Sequence, residues 1–444
     1  MKIIIAGDGD TGTHLARQLS HENQDVVLLG TDSARLDEMD ARYNLLTYTG
    51  SATSPQALTG AGATGCDLFI AVTPFENANI ISAQLAKSMG ATRTVARVDS
   101  AEFIADGTRQ LFGKLGVDRL VYPEYLAAGE IASSLSHAWL RSRYVLHDGG
   151  VIVTGVKLPP GAPLDGMPLR ELAGTERNFH VSAIRRGNEV VIPRGDDILM
   201  ARDIVWFTLV GGNESKLIEL CGKRNPKIKK VMVAGAGKMT RTICSLLEND
   251  YDFTVVDPDR ERCRKLARVC SRPTVVCADF RNIDVLRDEK IADMDAFIAL
   301  TDSSETNIVS CLVARDFGVG KTVAEIEDLQ YFTEADSLDI DTVVNKKLLT
   351  SSRIYQMLLD SYLPTPRCLV FDLAEVAEMV VADGSAITRE PVSRLKLPRG
   401  ITIGALVRGD RCMLVEGDTW IQGGDHLIVF CLSGALPRLE KLLR

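Results

Sequence analysis

The feature that most constrains this chain is a strand–glycine–helix segment that occurs twice. The apolar run Ile3-Ile4-Ile5-Ala6 meets Gly7-Asp8-Gly9-Asp10-Thr11-Gly12, and Leu15, Ala16 and Leu19 follow at helical spacing. A buried strand that enters a helix through a glycine turn is the first unit of a dinucleotide-binding fold. The segment recurs 228 residues on, at Lys230-Val231-Met232-Val233-Ala234-Gly235-Ala236-Gly237-Lys238-Met239-Thr240. One such turn is a weak signal; a second with the same flanks is much stronger.

The landmarks downstream repeat as well. Phe69-Ile70-Ala71-Val72-Thr73 corresponds to Phe297-Ile298-Ala299-Leu300-Thr301, and Asn79 to Asn307. Apolar runs around residues 26–29, 45–50, 66–73, 94–98 and 117–122 alternate with helical patterns, and Pro123 is expected to close the last of them. This alternation predicts a parallel sheet with helices on both faces. From about Tyr144 the texture changes to short strands and turns, with Val151–Val156, Val181–Ile184, Val190–Ile192 and Asp203–Phe207 as strands. Such a module reads as a small α+β domain, and it too recurs, with Ala183–Gly187 matching Ala405–Gly409 and Asp203 matching Asp425. The expected order is therefore large, small, large, small, over residues 1–140, 141–222, 228–362 and 366–444.

Composition narrows the function classes. With 444 residues, 45 % hydrophobic and 25 % charged, the chain reads as an ordinary multidomain globular protein. A net charge of −8 and the lack of a dense basic tract count against nucleic-acid binding. No apolar run reaches membrane-spanning length. Ten cysteines without a CxxC pair read as buried reduced thiols, Cys244, Cys277, Cys311 and Cys431 among them. The six histidines do not cluster along the sequence, and no metal site is expected. Trp139, Trp206 and Trp420 read as core or interface anchors.

A glycine turn at a helix start exposes backbone N–H groups at the positive end of the helix dipole, which suits phosphate. An acid at the tip of the second strand then takes the ribose hydroxyls. The second half has the fuller set. Asp257 ends its second strand, Lys238 and Arg241 lie at the turn, and Asp279 follows the third strand. Thr240 replaces the third glycine, which is expected to widen the turn. The first half keeps Gly7, Gly9 and Gly12 but has Gly30 in place of the ribose acid and Ser51 in place of Asp279. Asp8 and Asp10 lie in its loop, where they would repel polyphosphate, and Asp32 lies one turn outward. Asn79 and Asn307 are read as nucleotide contacts or helix N-caps, and Arg97 as a phosphate contact or an ion pair with a neighbouring domain. His147, His180 and His426 form no consistent catalytic constellation across the two small domains, which favours a ligand sensor over a dehydrogenase with duplicated halves.

The N-terminal MKIIIAGDGDTGTHLARQLS, the FIAVT and FIALTDSSETN blocks, and the segments GDDILMARDIVWF and GDTWIQGGDHLIVF resemble the TrkA family over the whole chain. Its members are peripheral, nucleotide-binding regulatory subunits of Trk-type potassium uptake systems. The resemblance implies two Rossmann-like RCK-N (KTN, TrkA-N) domains alternating with two small α+β RCK-C (TrkA-C) domains. It implies a non-enzymatic protein that assembles into a ring on the cytoplasmic face of the membrane, beneath a potassium-translocating subunit of TrkH/TrkG type. It also implies NAD(H), and ATP or ADP, as gating ligands. The expected cofactor-binding residues are Gly7, Asp8, Gly9, Asp10, Thr11, Gly12 and Asp32 in the first half. In the second they are Gly235, Gly237, Lys238, Met239, Thr240, Asp257, Asp279, Thr301 and Asn307, with the second site the better furnished.

Overall fold

The computed structural model describes residues 1–20, 24–187, 189–211, 214–328, 331, 338, 340–359, 367–371, 374–395, 397–398, 400–432, 435, 439 and 443. The expected domain limits at Tyr362, Pro366 and Arg444 lie outside the described residues.

The first parallel sheet contains β1 (Lys2–Ala6), β2 (Asp25–Gly30), β3 (Leu46–Thr49), β4 (Leu68–Ala71), β5 (Arg93–Arg97) and β6 (Arg119–Val121). Its order is β3-β2-β1-β4-β5-β6. Helices α1 (Asp10–Ser20), α2 (Ser33–Arg42), α3 (Pro55–Gly60), α4 (Glu76–Ser88) and α5 (Asp106–Lys114) connect the strands. Ile3, Ile4 and Ile5 are fully buried, as a central strand covered on both faces must be. Strand β6 stops just ahead of Pro123, as expected, and the same proline opens α6 (Pro123–Ser136). At the first helical position a proline lacks only an N–H that would have no intrahelical partner.

The next sheet is antiparallel. It contains β7 (Ser142–Leu146), β8 (Val151–Lys157), β9 (Phe179–Arg186), β10 (Glu189–Val191) and β11 (Ile204–Val210) in the order β10-β9-β11-β8-β7. Helices α7 (Leu169–Thr175) and α8 (Ser215–Leu220) accompany it.

The second parallel sheet repeats the first strand for strand. Its members are β12 (Lys230–Ala234), β13 (Asp252–Val256), β14 (Thr274–Val276), β15 (Ala296–Ala299), β16 (Lys321–Glu325) and β17 (Thr342–Val344), in the order β14-β13-β12-β15-β16-β17. With it go α9 (Lys238–Leu247), α10 (Arg260–Val269), α11 (Ile283–Asp288), α12 (Ser304–Asp316) and α13 (Lys346–Leu359). The last sheet, β18 (Arg367–Phe371), β19 (Ala374–Val380), β20 (Ile401–Arg408), β21 (Arg411–Leu414) and β22 (His426–Leu432), has the order β18-β19-β22-β20-β21, the topology of the first antiparallel sheet.

The chain forms two compact units, and these cut across the sequential order. One holds Met1–Glu130 together with Asn345–Met357, a segment that carries most of α13. The other holds Ile131–Val344 and Leu358–Arg444, and so includes the end of α6. Within this second unit, Ser134 Oγ lies 2.9 Å from Thr342 Oγ1, and buried Lys321 donates to the carbonyls of Ala138 and Leu140 at 3.2 and 2.9 Å.

In the same unit the two antiparallel sheets share one apolar core, which joins Leu146, Val153 and Trp206 to Val376, Val407 and Phe430. The rings of Trp206 and Phe430 lie 6.3 Å apart. Trp139 is also buried, whereas Trp420 is exposed and so is not a core anchor. Cys277 is exposed too, unlike Cys244, Cys311 and Cys431. His147 and His426 do cluster, contrary to the sequence reading, because the shared core brings both to Glu378.

Candidate functional site

In both parallel sheets the winding direction reverses between the first and fourth strands, which leaves a crevice beyond their C-terminal ends. The glycine turns stand at that crevice. Gly7 has φ +132°, and a Cβ there would run into the backbone of Val72 and Thr73; Gly235 has φ +102° and the same conflict with the Leu300 carbonyl. Only glycine fits at these two positions. A Cβ at Gly12 would overlap the Gly7 carbonyl, so α1 approaches β1 closely. At the matching position the second turn has room for Thr240, whose hydroxyl donates to the Gly235 carbonyl at 2.6 Å. The looser fit expected there thus gains a hydrogen bond that holds the turn.

Asp257 follows β13 directly and is 3 % exposed. Its Oδ2 accepts from the amide of Ala236 at 2.6 Å and its Oδ1 from that of Asp259 at 2.7 Å. The carboxylate therefore bridges the glycine turn and the turn into α10, and each oxygen retains further acceptor capacity. The first half builds the same bridge in the opposite sense. Asp8, which matches Ala236, sends Oδ2 to the amides of Thr31 and Asp32, each at 2.7 Å. A Cβ on Gly30, which matches Asp257, would overlap that carboxylate. The acid that the first half lacks at Gly30 is supplied by Asp8, whose carboxylate those two amides fix in the crevice wall.

The helix starts carry opposite charge. α9 begins at Lys238 behind Gly237, an N-cap without a side chain, and Arg241 donates to the Ala236 carbonyl at 3.2 Å. In the first half the position of Lys238 holds Asp10. Its charge is met by Arg35 and by Lys347 of α13, the latter at 2.6 Å. The Lys347 hydrogen bond, against some desolvation and with Arg35 adding to it, holds the Asp10 carboxyl below the usual range. Arg262, which matches Arg35, instead pairs with Asp302 at 2.6 Å. Thr11 and Met239 are buried and leave only their backbone for the turn.

Asp32 and Asp259 cap α2 and α10. Asp32 accepts from the Arg35 amide, and Asp259 from those of Glu261 and Arg262. Asp32 thus serves as the cap of α2. Asp279 pairs with Arg281 at 2.8 Å, which lowers its carboxyl pKa.

Asn79 and Asn307 are neither caps nor open contacts. Asn307 Oδ1 accepts from the Thr301 amide at 2.9 Å and from its hydroxyl at 2.7 Å. Its Nδ2 donates to the carbonyls of Thr301 and Glu325 at 3.0 and 2.8 Å. Asn79 makes the same four bonds to Thr73 and Arg97. Each asparagine is 1 % exposed and ties the ends of two neighbouring strands together, while Ser303 caps α12. Among the described residues, Arg97 pairs with Asp99, two residues away. The sequence reading missed the Asp8 bridge and the Arg262–Asp302 pair. The compensating exchange of Asp8 and Gly30 for Ala236 and Asp257 was the available signal for the first.

Among the described residues, no helix is long and apolar enough to cross a membrane. The TrkA-N domain model matches residues 3–123 and 231–346, and the TrkA-C domain model matches 153–222 and 376–444. The chain is 28 % identical to the Trk system potassium uptake protein TrkA homolog 1 of Methanosarcina mazei, with all of both chains covered. It is 30 % identical to the Trk system potassium uptake protein TrkA of Vibrio alginolyticus, over 98 % of this chain and 96 % of that one. A structure described as the GsuK channel bound to NAD shares the fold, with a TM-score of 0.61 and 17 % identity over all of this chain and 78 % of that chain.

Proposed function

The chain belongs to the TrkA family, and on that premise we propose that it is the nucleotide-sensing regulatory subunit of a Trk-type potassium uptake system. The observation that carries this reading is the second crevice. There the buried Asp257 carboxylate, a glycine turn and the Lys238 helix start converge. This set suits a ribose hydroxyl pair next to a diphosphate. The candidate residues are Gly235, Gly237, Lys238, Thr240 and Asp257, with Asp279 at the outer edge and Thr301 and Asn307 shaping the opposite wall. The first crevice, with Asp10 at its helix start, serves as the scaffold of the pair.

The ligand is NAD(H), or ATP or ADP, bound without turnover. The protein works in the cytoplasm against the inner face of the membrane, as a ring of its own copies beneath a TrkH/TrkG-like potassium-translocating subunit. The output is a population shift: a nucleotide that binds one ring state more tightly than the other moves the ring toward it. The domain limits proposed are 1–140, 141–222, 228–362 and 366–444.

Calorimetry with NADH, NAD, ATP and ADP tests this on the intact chain and on Asp257→Ala. At least one nucleotide should bind, with a loss of tenfold or more in the variant. Affinities that the substitution leaves unchanged would overturn the site. Steady consumption of NADH with a small carbonyl compound would overturn the regulatory reading.

A further inference from the structure

One polar cluster lies apart from both crevices, at the edge of the core shared by the antiparallel sheets. His147 starts the short turn after β7 and has φ +47°, a left-handed conformation that costs a residue with a side chain. Gly150 closes this turn against the Cys412 sulfur, where a Cβ would not fit. The turn is thus held tightly, with the imidazole of His147 directed at Glu378.

Glu378 lies on β19 and His426 begins β22. The register pairs Glu378 with Ile428 and Val380 with His426, so Glu378 and His426 are diagonal neighbours on one face. The Nδ1 atoms of both histidines reach the same oxygen, Glu378 Oε1, at 3.1 Å from His147 and 2.8 Å from His426. The two rings lie 5.6 Å apart at 68°. The ligand atoms of all three residues fall within 4.8 Å of one another. The Glu378 side chain is only 5 % exposed, whereas the histidines are about one-third exposed. The site is therefore closed below and open to solvent above.

We propose that His147, Glu378 and His426 form a binding site for a divalent transition-metal ion of the zinc class. Two imidazole nitrogens and one carboxylate oxygen are a common zinc donor set, and they leave a fourth position for water. Metal–ligand bonds of about 2.0–2.2 Å place tetrahedral donors on the order of 3.3 Å apart. The 3.1 and 2.8 Å separations from the carboxylate oxygen need only a small adjustment to reach that value. A nearly buried carboxylate is also a place where a cation replaces lost hydration.

The stoichiometry follows from the repeat. In the first antiparallel sheet, Trp206 pairs with Gly155 where Ile428 pairs with Glu378, and Ile204 pairs with Lys157 where His426 pairs with Val380. The positions matching Glu378 and His426 are therefore Gly155 and Ile204, which offer no side-chain ligand. The described residues thus hold one such site, and because His147 directly follows β7 of one sheet while Glu378 and His426 lie on its neighbour, the ion clamps the sheets together.

The test uses full-length, tag-free protein that has been stripped with a chelator and titrated with ZnCl2 by calorimetry and with CoCl2 by absorption. The expected result is one equivalent per chain, with the intense visible bands of four- or five-coordinate Co2+. His147→Ala and His426→Ala should each weaken binding at least tenfold, and Cys277→Ser, at an exposed thiol, should leave it unchanged. No saturable uptake, or uptake that both histidine variants retain, would overturn the site. Cadmium NMR of the unaltered chain checks the donor set without any substitution. One resonance in the nitrogen–oxygen range supports it, and a thiolate-shifted resonance overturns it.

Discussion

Asp8 and Asp257 do one job from opposite sides of matching crevices. Each carboxylate ties the glycine turn to the loop beyond the second strand, and the partner position is kept small, as Gly30 or as Ala236. The residue scale therefore predicts strong coupling. Gly30→Asp alone puts two carboxylates in one space and should cost about 2–3 kcal/mol through overlap and like-charge repulsion. Adding Asp8→Ala recreates the arrangement of the second half and should recover most of that loss. Urea unfolding of the single and double variants measures the coupling, and additive effects would contradict it. The missing acid at Gly30 was legible in the sequence. Its replacement was not, because Asp8 reads as loop charge until the fold sets it beside the amides of Thr31 and Asp32.

At the scale of elements, paired side chains lock the ends of strands. Asn307 joins β15 to β16 through four hydrogen bonds, all inside the sheet edge. Asn307→Ala strands a buried amide and two carbonyls and should destabilise by about 3 kcal/mol, read by chemical denaturation, with Asn79→Ala matching it. The small domains use a different lock, also duplicated: Arg186 grips Asp203 with two nitrogens, and Arg408 grips Asp425 in the same way. The asparagine repeat was visible in the sequence, but its role was not. In α4 the residue is the fourth of the helix, past the capping position, and faces inward.

Lys321 is a third lock, fully buried on β16. Desolvation lowers its ammonium to about 8 from an ordinary value of 10.5. Between those values the folded chain has lost this proton and the unfolded chain still binds it. Stability should therefore rise with pH across that window, and the penalty for burying the charge is present in full below it. The rise attributable to Lys321 is on the order of 3 kcal/mol at most. Denaturation of the native chain and of Lys321→Met at several pH values isolates it, since the variant should lack that slope.

For the whole molecule, the duplication was plain in the sequence because glycine turns, strands and the FIAVT-like blocks recur at a nearly constant interval. What escaped was which compact unit the helix Lys346–Leu359 joins. The pattern of Lys346–Leu359 says only that one side is apolar, and its neighbours come from the other end of the chain. The common core of the antiparallel sheets was equally hidden, because a strand buried on both faces reads alike whatever covers it. Phe430→Ala should open that core beside Trp206, cost about 3–5 kcal/mol and shift tryptophan emission to the red. Unchanged emission with unchanged stability would argue against a shared core.

The contact between Asp10 and Lys347 bears on how the protein is made. A ribosome that has released residues 1–130 has delivered all six strands of the first sheet, yet the helix that completes this unit ends near Met357. At about 5–20 residues per second, the gap is on the order of tens of seconds. Through that interval the nascent chain lacks the last segment of its first unit and carries an Asp10 without its lysine. Factors that shelter emerging chains meet this protein first at its N-terminal half, and a pause placed after residue 130 lengthens their task more than one placed after 357.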